Sequence, residues 1–89
     1  MKSKKDFVVY MILCADKSLY TGITTDIERR FAEHAEGIGA RYTKSHLPKR
    51  IVYSEARHTH SSALIREAEI KKLTKVQKLL LCKIQKTAI

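Results

Sequence analysis

The segment from Val8 to Gly22, VVYMILCADKSLYTG, restricts the fold more tightly than any other part of the chain. An apolar run rich in β-branched residues, a polar Ala-Asp-Lys tip and a second short run spell a β-hairpin. One tyrosine stands on each arm, Tyr10 and Tyr20, and Gly22 follows the second. Side chains alternate along a strand, so the loop decides whether the two hydroxyls share a face. A two-residue turn at Asp16-Lys17 pairs Leu13 with Tyr20 and sends Tyr10 to the opposite face. A three-residue loop, Ala15 to Lys17, pairs Ile12 with Tyr20 and Tyr10 with Gly22. Both hydroxyls then lie on one face, and the glycine leaves Tyr10 uncovered. The tip lacks the Asn-Gly or Asp-Gly of a tight turn, which favours the longer loop.

Capping and periodicity place the other elements. Strands are expected at about 7–14, 18–23 and 51–56. A capping box, Thr25-x-x-Glu28, opens a first helix whose Ile27, Phe31 and Ala35 recur on one side, and Gly37 ends it. Ser61 or Ser62 caps a second helix through Lys72. Thr74-x-x-Gln77 caps a third, with Val76, Leu80 and Ile84 as its core stripe. The order is β-β-α-β-α-α. With 89 residues, no repeat and no linker, the chain reads as a single domain with its core at about 7–83.

Charge narrows the partners. Eighteen lysines and arginines against nine acids give a net charge of +9. Such an excess on a small domain favours a polyanion, because each neutralised phosphate releases condensed counterions. No membrane association is expected, since the longest apolar run, Phe7 to Ala15, is about half of what spans a bilayer. Lys2, Lys4 and Lys5 imitate the start of a signal peptide, but Asp6 follows and no cleavage site ends the run. Cys14 and Cys82 are far apart, with no C-x-x-C and no paired histidine, so two reduced, buried thiols in a cytoplasmic protein are expected.

The helices add candidate functional groups. At 100° per residue Arg30 and His34 border the apolar side formed by Ile27 and Phe31, while Arg29 and Glu33 face water. Arg30 either snorkels over the core edge toward a carboxylate or presents a positive fork toward whatever the tyrosines face. On the second helix Glu67 lies among Leu64, Ala63 and Ile70, a costly place for a carboxylate without a cation. A metal ion or Arg30 would each satisfy it. Glu69 is expected at the surface, paired with Arg66. His58-x-His60 has the spacing of a metal pair but sits in a polar loop, and the C-terminal lysine run reads as a solvated face.

These residues together resemble the GIY-YIG nuclease domain. Val8-Val9-Tyr10 stands for its first triplet and Tyr20-Thr21-Gly22 for its second, followed by Arg30, His34 and the helix-borne Glu67 in Arg66-Glu67-Ala68. The resemblance runs from about Phe7 to Lys83, nearly the whole chain, and is nearest to small, standalone bacterial members. It implies an α/β fold of the α+β kind, a three-stranded antiparallel sheet flanked by helices. It also implies metal-dependent hydrolysis of DNA phosphodiesters. Glu67 would hold a single Mg²⁺ or Mn²⁺, bound weakly without DNA, and Tyr10 or Tyr20 would take the proton of the attacking water. Arg30 would stabilise the developing phosphorane charge, and His34 would orient groups or exchange protons. Arg41 and Lys44 resemble the family's phosphate-contacting loop, and Gly22 would let the phosphate approach.

Two features depart from the pattern. Val8 replaces the first glycine, and the chain contains no asparagine, a residue many members carry late in the domain. A serine, threonine or glutamine would have to take that place. An endonuclease of little sequence specificity, acting in DNA repair or recombination, is the expected function. Against it stand a nucleic-acid-binding module on the same scaffold and a protein-interaction domain. RNA stays open as a substrate, and a protein partner is expected to supply targeting.

Overall fold

A computed structural model of the chain describes residues 6–38, 41 and 45–87. Its centre is β1 (Phe7–Cys14), with β2 (Leu19–Thr24) and β3 (Pro48–His58) antiparallel on either side, in the order β2-β1-β3. Val9, Tyr10, Met11 and Ile12 are all essentially sealed from solvent. A strand covered on both faces cannot alternate polar and apolar residues, which is why this run is unbroken. The register pairs Ile12 with Tyr20 and Tyr10 with Gly22, as the three-residue loop requires. Lys17, at φ 71°, closes that loop, its N–H donating to the Cys14 carbonyl at 2.8 Å. Asp16 accepts from the Ser18 hydroxyl (2.6 Å) and meets His46 at 2.6 Å. These bonds hold its carboxyl well below the usual carboxylate range.

Helix α1 (Ile27–Ala35) covers one face of the sheet, where Tyr10, Ile12 and Cys14 meet Tyr20, Ile27, Phe31 and Ile51. Its N-cap is Asp26, which accepts from the Arg29 N–H at 3.1 Å, and not the expected Thr25. The Thr24 hydroxyl already accepts from the Asp26 N–H at 3.1 Å, turning the chain one residue later. Gly37, at φ 80°, ends the helix: its N–H bonds to the His34 carbonyl and that of Ile38 to the Glu33 carbonyl.

The other face packs Val9, Met11 and Tyr53 against α2 (His60–Lys71) and α3 (Lys75–Thr87), through Ala63 and Ile70 and through Leu81 and Cys82. Thr59 caps α2 in place of Ser61 or Ser62; Ser62 is its reciprocal partner, each side chain accepting from the other's N–H at 3.0 Å. The Thr74–Gln77 box opens α3 as expected. Its expected stripe does not enter the core: Val76 is 68%, Leu80 51% and Ile84 64% exposed. Gln85 faces the sheet instead. Its side-chain amide accepts from the Ser54 N–H (3.1 Å) and donates to the Ser54 carbonyl (2.5 Å), pairing the outer edge of β3. With Gln85 inward, Leu81 and Cys82 share its side, and Val76, Leu80 and Ile84 point away. Both cysteines are free, Cys14 buried and Cys82 half-buried. No helix of the described residues is long and apolar enough to cross a membrane.

Candidate active site

The tyrosine face of the hairpin meets the inner side of α1. Tyr10 is 1% exposed, and its hydroxyl lies 2.9 Å from Nε2 of His34, also 1% exposed. The rings of Tyr20 and His34 meet edge to face at 5.1 Å, and those of Tyr10 and Tyr20 stand 6.2 Å apart. Gly22 makes this convergence sterically feasible. A Cβ there would lie 2.7 Å from the Tyr10 hydroxyl and 3.0 Å from the Tyr20 ring, so the space above the glycine belongs to the tyrosines.

Arg30 acts on the Tyr10 hydroxyl and opposes the rise of its pKa. Its Nη1 also bonds to the Glu33 carboxylate at 2.8 Å, so Glu33 closes onto Arg30 while Arg29 stays exposed. The Tyr10 hydroxyl donates its proton to Nε2 of His34 when that nitrogen is unprotonated. Burial, and next the charge of Arg30, lower the His34 pKa and favour the neutral ring that can accept it. Burial, with Tyr20 and Glu67 adding to it, outweighs Arg30 at Tyr10 and pushes its phenol up to about 12.

Glu67 stands at the margin of this group. Its charge is felt at Tyr10, and its Oε2 pairs with Lys71 Nζ at 3.2 Å. Within the chain, the cation that meets it is the lysine four residues on and not Arg30. That pairing has a sequence signal, an acid and a lysine at i and i+4. No cluster of three metal-ligating side chains occurs among the described residues. One partly buried carboxylate fits a hard cation that keeps most of its waters and borrows phosphate oxygens. Arg41 is exposed, and Lys44 lies outside the described residues. His58 and His60 do not converge: His58 bonds to Ser62 and Glu55, while His60 stacks on Phe7 at 4.8 Å.

Residues 6–79 match the GIY-YIG catalytic domain. The chain belongs to the GIY-YIG family. It is 48% identical over 73 residues to a UPF0213 protein of Natronomonas pharaonis, covering 82% of this chain and 86% of that one. Against a UPF0213 protein of Cupriavidus necator the identity is 45% over 82 residues, covering 92% and 89%. Two solution NMR structures are similar, each at 39% identity. The UPF0213 protein of Bacillus halodurans has a TM-score of 0.57, covering 89% of this chain and 84% of that one. A protein of E. faecalis has a TM-score of 0.60, covering 96% and 92%. GIY-YIG is a nuclease family whose members generally depend on a divalent metal ion.

On the opposite face, this GIY-YIG domain carries a polar network that the sequence reading missed. Glu55 takes two hydrogen bonds from Nε of Arg66, at 3.0 and 2.9 Å, one from the Tyr53 hydroxyl, and contacts His58 at 3.0 Å. Arg66 continues to Glu69 at 3.2 Å, the pairing expected for Glu69. Tyr53 and Glu55 are two apart on a strand and so share a face, which was a usable signal. His58 would alternate away from them; a bulge, with Arg57 at φ 67°, turns it back. No signal in sequence foretells that bulge.

Proposed function

We propose that this GIY-YIG domain is an endonuclease that hydrolyses DNA phosphodiester bonds with little sequence specificity. The observation that carries the reading is the convergence of Tyr10, Tyr20, Arg30 and His34 from three elements, with Glu67 close enough to act on Tyr10. Tyr20 is assigned as the base that takes the proton of the attacking water, because it is partly exposed beside His34. Tyr10 is unsuited to that role: it is buried, its proton is directed to His34, and its phenol is raised to about 12. It instead fixes Arg30, whose guanidinium would face the phosphate and stabilise charge as it develops. His34 holds Tyr10 in place and orients Tyr20 by edge contact. Glu67 would hold Mg²⁺ or Mn²⁺, which when bound supplies Lewis-acid stabilisation of the phosphate charge. A carboxylate facing phosphate repels it unless a cation intervenes, and Lys71 is an exposed, exchangeable one.

The charge of +9 supports a nucleic acid as partner, and Arg41 and Lys44 would contact its backbone. Selection of branched or single-stranded DNA, a role in repair or recombination, and a cytoplasmic setting complete the reading. Glutamine does not replace the missing asparagine: Gln77 is used in a helix cap and Gln85 at the β3 edge. This favours, as the second reading, a nucleic-acid-binding module that does not cut.

Wild type, Glu67→Ala, Tyr20→Phe and Tyr10→Phe, incubated with labelled duplex, single-stranded, flap and branched DNA in Mg²⁺, Mn²⁺ or chelator, separate the two. Metal-dependent cleavage that Glu67→Ala and Tyr20→Phe abolish, with binding kept, is the expected result. Tyr10→Phe should retain part of the activity. Tight binding without cutting in any metal, unchanged in all variants, would leave the binding module.

A further inference from the structure

We propose that α3 and the groove beside it form a docking surface for an acidic, amphipathic helix of a partner protein. The groove is a cavity of about 430 Å³ between α3 and the loop end of the sheet. Leu13, Leu19, Val52 and Leu79 give it apolar walls, and Arg50 and Lys83 add two cations. Leu79, 46% exposed, links it to the outward row of Val76, Leu80 and Ile84. That row follows i, i+4, i+8, a straight ridge of the kind that packs along a second helix. A large apolar face left open on so small a domain marks an interaction site more often than it marks chance.

Charge selects the occupant. From Ile70 to the last residue the sequence has no aspartate or glutamate, while Lys71, Lys72, Lys75, Lys78, Lys83 and Lys86 lie in it. A second copy would bring the same positive charge to the contact, so self-association is opposed. A bilayer surface is flat and cannot fill a concavity of this size. Nucleic acid is poorly served, because no aromatic side chain among the described residues lines the groove for a base to stack on. An acidic helix with a leucine-rich stripe matches all three features: the ridge, the concavity and the two cations, Arg50 and Lys83, that line it. This surface is distinct from the tyrosine site, which lies on the α1 face of the sheet.

The test uses the full ¹⁵N-labelled chain and a synthetic helix with leucines on one face and glutamates on the other. A scrambled peptide of the same composition, phosphatidylglycerol-containing vesicles and single-stranded DNA are run in parallel. Amide shifts should concentrate at 13–19, 50–52 and 76–84, and the helix should bind at least about tenfold tighter than the scramble. Salt should weaken it. Leu80→Glu and, separately, Arg50→Glu should each lower affinity by at least about tenfold while leaving the unfolding midpoint unchanged, since both side chains are exposed. The proposal is overturned if the scramble binds equally, if the shifts fall elsewhere, or if only vesicles or DNA perturb this face. A concentration-dependent dimer abolished by Leu80→Glu would overturn it too, assigning the face to a second copy.

Discussion

The two faces of the sheet carry nearly the same polar residues and use them in opposite ways. Under α1, a tyrosine, a histidine and an arginine gather at Tyr10, His34 and Arg30, with a glutamate, Glu67, held off at the margin. Under α2, a tyrosine, a histidine, an arginine and a glutamate gather at Tyr53, His58, Arg66 and Glu55, with the glutamate at the centre. The central carboxylate of Glu55 gathers Tyr53, His58 and Arg66, so the second cluster works as a brace between β3 and α2. In the first cluster the acids stand at the edge: Glu33 bonds to Arg30 and Glu67 pairs with Lys71, while the Tyr10 hydroxyl meets His34. Residue type alone does not distinguish a site from a brace; the position of the acid does.

The sharpest way to break this contrast is to remove each acid. Glu55→Gln should cost about 2–3 kcal/mol, because it strands the half-buried Arg66 and weakens its bonds to Tyr53 and His58. Glu67→Gln should change stability by less than about 0.5 kcal/mol, since its lysine partner is largely exposed, yet abolish cleavage. Urea unfolding and a cleavage assay read the two effects. Equal losses of stability would show that Glu67 is a second brace.

Next in size is Gly22→Ala. A methyl group 2.7 Å from the Tyr10 hydroxyl and 2.9 Å from its Cζ must displace a buried ring held by His34, at a cost of about 2 kcal/mol. Cleavage should fall with it; unchanged stability would mean the ring has room that the packing does not suggest. Tyr10→Phe should cost about 1 kcal/mol by leaving the buried Nε2 of His34 without its partner. Tyr53→Phe should cost less, because Glu55 keeps Arg66. Denaturation midpoints rank the pair.

The smallest effect separates the faces by pH. The folded His34 pKa is depressed below its ordinary 6.5, first by burial and then by Arg30, so the unfolded chain binds more protons just below that value. The contribution of His34 is complete above 6.5 and is lost as pH falls through the folded value. Glu55 is also depressed: burial opposes this, but the bonds from Arg66, Tyr53 and His58 prevail. Its contribution is complete above 4.5 and is lost as pH falls further. Stability should decline in two stages on acidification, and His34→Gln should remove only the upper one.

Much of this was legible before any coordinate. The apolar run Val8–Cys14 announced the first strand of a hairpin, and the loop-length reasoning placed Tyr10 opposite Gly22; that this strand is buried on both faces emerged only in the fold. The Gly37 stop and the Thr74–Gln77 box were read from local chemistry, because helix ends satisfy their backbone groups within a few residues. Caps failed by one to three residues: Asp26 caps α1 in place of Thr25, and Thr59 caps α2 in place of Ser61 or Ser62. There a contact from outside the helix, such as the Thr24 hydroxyl on Asp26, tips the choice.

By itself, then, the sequence determined the element order, the face shared by the tyrosines and the family, since each rests on residues close in the chain or on fixed spacing. Tertiary structure decided what periodicity leaves degenerate. Leu79, Leu80 and Leu81 are equally apolar, and Leu81 turns to the core on the side where Gln85 bonds to Ser54, 31 residues away. Arg66 and Glu67 are neighbours, yet the first is bound to Glu55 and the second pairs with Lys71, its charge adding to the rise of the Tyr10 pKa. A helix offers several faces of similar free energy, and the choice among them is made by partners that come from elsewhere in the chain.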